Sequence, residues 1–166
     1  MLIQNRKAFT MLELVFVIVV IGILSAVAIP KFAVNRDDAV ISKAKTLVAS
    51  VRSAIATERQ KRILQGSFTS IFRLTDSSAV NKPIFNAIDG NTSNPVLQYP
   101  PFSCKTSTST ECWKETTVGT ATTDGVYTYM MPVAGSVVFT LKDNQFNCPA
   151  TSGSATAQKD CRLLTQ

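Results

Sequence analysis

FTMLELVFVIVVIGILSAVAI, running from Phe9 to Ile29, is the stretch that decides how this chain folds. Its 21 residues are interrupted only by Thr10, Glu13, Gly22 and Ser25. As a helix it is about 30 Å long, the thickness of the hydrocarbon core of a bilayer. Val and Ile are weak helix formers in water. In lipid every backbone N–H and C=O must bond within the segment, so a lone span has to be helical. The expectation is a transmembrane helix over 9–29.

Glu13 is the anomaly in that run, because a carboxylate inside an apolar span is costly and normally has a partner or a task. It stands four residues after Phe9. If the chain begins at Phe9, the new α-amino group lies about one helical turn from Glu13, and ammonium and carboxylate can neutralise each other within one chain or between neighbours. The plainer alternative is a carboxylate at the membrane edge that takes a proton or reaches out to water.

Arg6-Lys7-Ala8-Phe9-Thr10-Met11-Leu12-Glu13-Leu14, with the apolar run, Gly22 and Pro30, resembles the class III leader of type IV pilins and pseudopilins. The resemblance covers about the first 35 residues. It implies that a prepilin peptidase cuts between Ala8 and Phe9 and methylates the new amine of Phe9, and that Glu13 is the carboxylate used in assembly. The leader peptide is then 1–8. One departure is Ala8, where the family usually has glycine; alanine is the mildest replacement. The competing reading is a secretory signal peptide, with Arg6 and Lys7 as its positive end, Met11 to Leu24 as its apolar stretch and Ala26-Val27-Ala28 as its cleavage site. Glu13 argues against that. Lys31, Arg36, Lys43 and Lys45 outnumber Arg6 and Lys7, so the positive-inside rule opposes the N-in orientation that the leader and the cysteines require.

Pro30 lacks an N–H and should kink the helix just past the span, as Gly22 can within it. The periodicity then predicts an amphipathic continuation over 30–65, with Val40, Ala44, Leu47, Val48, Val51 and Ile55 on one stripe. Glu58 and Arg62 are spaced as a favourable i,i+4 pair, and Gly66 is placed as a left-handed cap. From Phe9 the whole element would be about 85 Å long, more than a head of this size can cover.

The disulfide-bonded head is expected over 66–166. Ser67 to Pro101 has no sustained period and reads as the connection from helix to sheet, with room for a short helix. Thr106 to Thr110 reads as a loop tip. Val126 to Met131, Ser136 to Leu141 and Gln145 to Cys148 read as at least three antiparallel strands, joined by Pro132 to Gly135 and by a two-residue Asp143-Asn144 turn. The expected fold class is α+β, a long N-terminal helix packed on a small antiparallel sheet.

Composition sets further bounds. Of 166 residues, 45% are hydrophobic, 17% are charged and none is histidine. Cys104, Cys112, Cys148 and Cys161 lack zinc-type spacing and suit two disulfides in an oxidising compartment. Three pairings exist, and the short loops favour Cys104 with Cys112 and Cys148 with Cys161. The net charge of +6 is spread along the chain, and the basic residues at 43–62 read as a solvated face rather than a DNA face. Asp143, Asn144 and Asn147 offer a weak calcium pattern set against ordinary turn chemistry. Asp89-Gly90-Asn91-Thr92-Ser93 carries an acceptor sequon at Asn91, with an acidic residue two before it. No nucleophile, phosphate loop or paired carboxylate motif stands out, so neither catalysis nor a cofactor or metal is expected.

The resemblance implies a structural subunit of a type IV pilus, type II secretion or competence filament. Its implied partners are the prepilin peptidase, copies or relatives of itself, an inner-membrane assembly platform, and DNA or a secreted substrate. It would be a single-pass inner-membrane precursor that becomes a periplasmic or cell-surface filament.

Overall fold

A computed structural model describes residues 9–133, 135–149 and 155–166, without the side chains of residues 27–35 and 155. The chain divides into two units, Met1–Asp38 and Ala39–Gln166. The first helix, α1 (Met11–Leu64), contributes to both.

In the first unit Thr10 caps α1. Its hydroxyl oxygen accepts the N–H of Glu13 at 3.2 Å and its carbonyl accepts that of Leu14 at 3.1 Å, which satisfies two of the donors a helix start leaves open. Gly22 lies inside α1, and a Cβ added there would meet nothing within 4 Å. The side chain of Pro30 lies outside the described residues, but its backbone is helical, and α1 continues through the position where a kink was expected. Residues 1–8, with Ala8, also lie outside them. Among the described residues no helix is long and apolar enough to cross a membrane. The part of the apolar run whose helical side chains are described, Met11 to Ala26, is shorter than the ~20 residues a bilayer core requires.

In the second unit α1 buries Ala44, Val48, Val51 and Ile55 of the expected stripe, with Leu47 packed at its margin; Val40 is half-buried outside the core, and Ile41 packs against the core instead. The helix ends at Leu64. Gly66 adopts a φ of 77°, which lets the N–H of Ser67 reach back to the carbonyl of Arg62 at 2.8 Å. The stripe packs on a four-stranded antiparallel sheet of β1 (Cys112–Thr117), β2 (Gly125–Met130), β3 (Ser136–Lys142) and β4 (Gln145–Asn147), in the order β1-β2-β3-β4. This is the α+β arrangement read from the sequence. Register pairs Trp113 with Tyr129, Tyr127 with Phe139 and Leu141 with Phe146, so the large side chains share the face turned to α1. Phe85 meets Trp113 edge-on at 5.3 Å, and Phe139 stacks on Phe146 at 4.9 Å. Asp143 and Asn144 both take positive φ, 49° and 63°, as a two-residue hairpin turn between β3 and β4 requires.

Three features go beyond the sequence reading. The first is β1, whose inward positions are Trp113 and the carboxylate Glu115 rather than two apolar residues. The second is a C-terminal helix, α2 (Ala155–Thr165), where only a tail was expected; it sinks Cys161 and Leu164 into the core. The third is the connection from 67 to 111, which contains no helix among the described residues yet supplies Ile71, Leu74, Ile84, Phe85, Ile88 and Val96 to the core. This segment packs closely against the loop between β1 and β2 at Gly119, where an added Cβ would collide with the carbonyl oxygen of Phe72.

Candidate assembly segment

From Phe9 to Leu24 the large apolar side chains stand in the open. Phe9 is 80% exposed, Leu12 81% and Phe16 68%, and even Val20, the most sheltered of them, is 37% exposed. Soluble proteins rarely present contiguous apolar surface of this extent unless it is an interface with protein or lipid. Glu13 shares the surface, and its carboxylate has no partner among the described residues. With the backbone N–H of Glu13 bonded to Thr10, the carboxylate sits at the third helical position. There the positive end of the helix dipole and any amine at Phe9 act on it together.

The other predicted site residues lie in the head. Cys104 is joined to Cys112 and Cys148 to Cys161, the short-loop pairing. Asn91 is exposed in a turn, its side-chain oxygen accepting the N–H of Ser93 at 3.0 Å. Asp89, two residues before it, is already engaged. One of its oxygens accepts the N–H groups of Phe72 and Arg73, and the other takes Arg62 at 2.7 Å. The calcium pattern is likewise consumed: Asn144 accepts the N–H of Ile71 at 2.8 Å, and the oxygen of Asn147 takes the guanidinium of Arg52 at 3.1 Å. A cation placed beside that guanidinium would be repelled. Among the described residues no group of His, Cys, Asp and Glu could hold a metal ion. Four of the basic residues on α1 between 43 and 62 are engaged by acceptors. Arg52 donates to the carbonyl of Phe146 and Arg59 to that of Thr69, while Lys61 and Arg62 pair with Glu58.

Sequence reasoning did not identify the buried network that ties loop to sheet. Arg73 makes two bonds to Glu115, at 3.0 and 2.7 Å, and the Glu115 side chain is 1% exposed. Tyr127 donates its hydroxyl to Glu115 and accepts the N–H of Leu74. Burial, with the Glu115 charge beside it, pushes the Tyr127 phenol well above its ordinary value. The hydrogen bonds that Arg73 donates to Glu115, working against burial, raise Arg73. The network ties the loop at Arg73 and Leu74 to β1 and β2.

The decisive features therefore lie at the N-terminus. Residues 3–29 match the family described as the prokaryotic N-terminal methylation motif. The N-terminal segment is similar to that of type IV pilins. The type IV narrow pilus major component PilA5 of Thermus thermophilus is 45% identical over 62 residues, covering 36% of this chain and 53% of that protein. A fimbrial protein of Moraxella nonliquefaciens is 42% identical over 55 residues, 33% of this chain and 36% of that protein. The chain thus spans about half the length, or less, of these curated relatives. No solved structure matches it. The match to the family model lies within residues 3–29.

Proposed function

We propose that this chain is a structural subunit of a type IV pilus-like filament that polymerises through the first half of α1. The observation that carries the reading is the exposed apolar surface from Phe9 to Leu24. Water is a poor environment for it, at about 25 cal/mol for each Å² left uncovered. In the precursor the bilayer covers this surface, with 9–29 as its span; in the filament neighbouring subunits cover it. Cleavage after Ala8 gives Phe9 a free amine, which a prepilin peptidase methylates. Glu13 then pairs with the amine of a neighbour and sets the register, as a polar group in an apolar seam can. The subdivision into leader 1–8, assembly helix 9–29, amphipathic continuation 30–65 and disulfide-bonded head 66–166 belongs to this reading. So do the assembly platform and the passage from inner membrane to cell-surface filament.

The test is Glu13→Ala expressed in cells that assemble the native chain. The variant should still lose residues 1–8 but yield few sheared filaments. Filaments in normal number from that variant would sink the pairing of Glu13 with a neighbour's amine.

A further inference from the structure

At one end of the head, Lys45 of α1 meets Lys159 and Arg162 of α2 around a cleft of about 440 Å³ completed by Gln158, Leu163 and Gln166. No carboxylate side chain lines it. Asp160, the acid of α2, has its oxygen 3.8 Å from a Cβ built at Gly135 and belongs to the turn before β3. None of the three cations has an ion-pair partner among the described residues, whereas Lys61, Arg62 and Arg73 are all matched with acids. Three unmatched cations sharing one cleft repel one another, so an anionic occupant would relieve them.

The same chain carries a matching feature. Asp37 and Asp38 are adjacent on α1, Asp38 is exposed, and neither has an ion-pair partner among the described residues. Two complementary patches at different places on one chain can meet reciprocally across a two-fold axis, which closes a dimer, or singly, which leaves both ends free to add further copies. The single contact is head-to-tail, the type that propagates into an open helical filament.

We infer that the Lys45, Lys159 and Arg162 cleft receives the Asp37-Asp38 pair of a second copy, as an electrostatic lock between successive subunits. This rests on the polymer reading above. The lock selects the head-to-tail offset, and like charges brought together in any other register oppose it.

The experiment is charge reversal in the full-length chain, read as sheared filament per cell against the membrane pool. Asp37→Lys with Asp38→Lys, and separately Lys45→Glu with Lys159→Glu and Arg162→Glu, should each lower filament yield by about tenfold, and the combination of all five should recover most of it. A second readout does not depend on recovery: Asp38→Cys with Lys159→Cys should give disulfide-linked ladders of subunits from intact filaments. Wild-type filament yield from either reversal, or the absence of ladders from assembled filaments, would overturn the lock while leaving polymerisation standing. Failure of the native chain to form filaments would remove the polymer reading and the lock with it. Release of filament by anionic vesicles or DNA in place of ladders would assign the cleft to those ligands and overturn the inference.

Discussion

The two halves of α1 are made from similar residues and meet opposite fates. Val17 and Ile18 in the first half are 42% and 58% exposed, while Val51 and Ile55 in the second are 0% and 2% exposed. The second half alternates its apolar residues with Lys, Ser and Arg so that one stripe faces the sheet. The first half is apolar on every side, and one sheet cannot cover a helix all round. The difference shows which part of the chain is complete by itself and which part calls for something outside it.

The largest expected effect breaks the comparison at its buried side. Phe139→Ala removes a ring that stacks on Phe146 and should cost about 3–5 kcal/mol of head stability, while Phe16→Ala in the first half should change it by less than about 0.5 kcal/mol. Urea unfolding of the full-length chain in detergent, followed by Trp113 fluorescence, checks both. Equal losses would mean that the first half is packed into the head after all.

A somewhat smaller effect sharpens the account of the head. Glu115→Leu leaves the Arg73 guanidinium and the Tyr127 hydroxyl without their acceptor and should cost about 3 kcal/mol by the same urea measurement. Glu115→Leu together with Arg73→Met should recover part of that loss, since two apolar groups leave no orphaned charge.

The smallest effect is pH dependence. Burial pushes Glu58 upward, but hydrogen bonds from Asn94, Arg62 and Lys61 outweigh it and hold the carboxyl below its ordinary value of 4.5. A folded pKa below the unfolded one contributes stability that is fully present above the ordinary glutamate range and is lost as pH falls through the folded value. The head should therefore weaken on acidification below about 4.5, and Glu58→Gln should flatten that slope. Urea midpoints at successive pH values read the difference.

The legible parts of the fold were those with a period. The stripe on α1, the cap at Gly66, the strands β2 to β4 and the Asp143-Asn144 turn all follow spacing rules that act within a few residues. β1 escaped notice because its inward face mixes Trp113 with Glu115, and a carboxylate there makes sense only once Arg73, distant in sequence, is brought to it. α2 carried a usable signal in Ala157, Cys161 and Leu164 at helical spacing, hidden behind a stretch rich in Ser and Thr. The connection from 67 to 111 is held by individual bonds such as Asp89 to Arg62 rather than by a repeating pattern, so nothing local announces how much core it supplies. For the candidate site, Glu13 stood out because its charge contradicts its surroundings. The cleft at Lys45 did not, because Lys45 is far in sequence from Lys159 and Arg162.

The most direct test of the central claim is the mass of the mature N-terminus, taken from sheared surface filaments and from membranes of cells that carry a prepilin peptidase. The account predicts a chain that begins at a methylated Phe9 in the filament fraction. A chain beginning at Ile29, or one that keeps Met1, would contradict it, because either leaves no processed amine at Phe9 for Glu13 to meet.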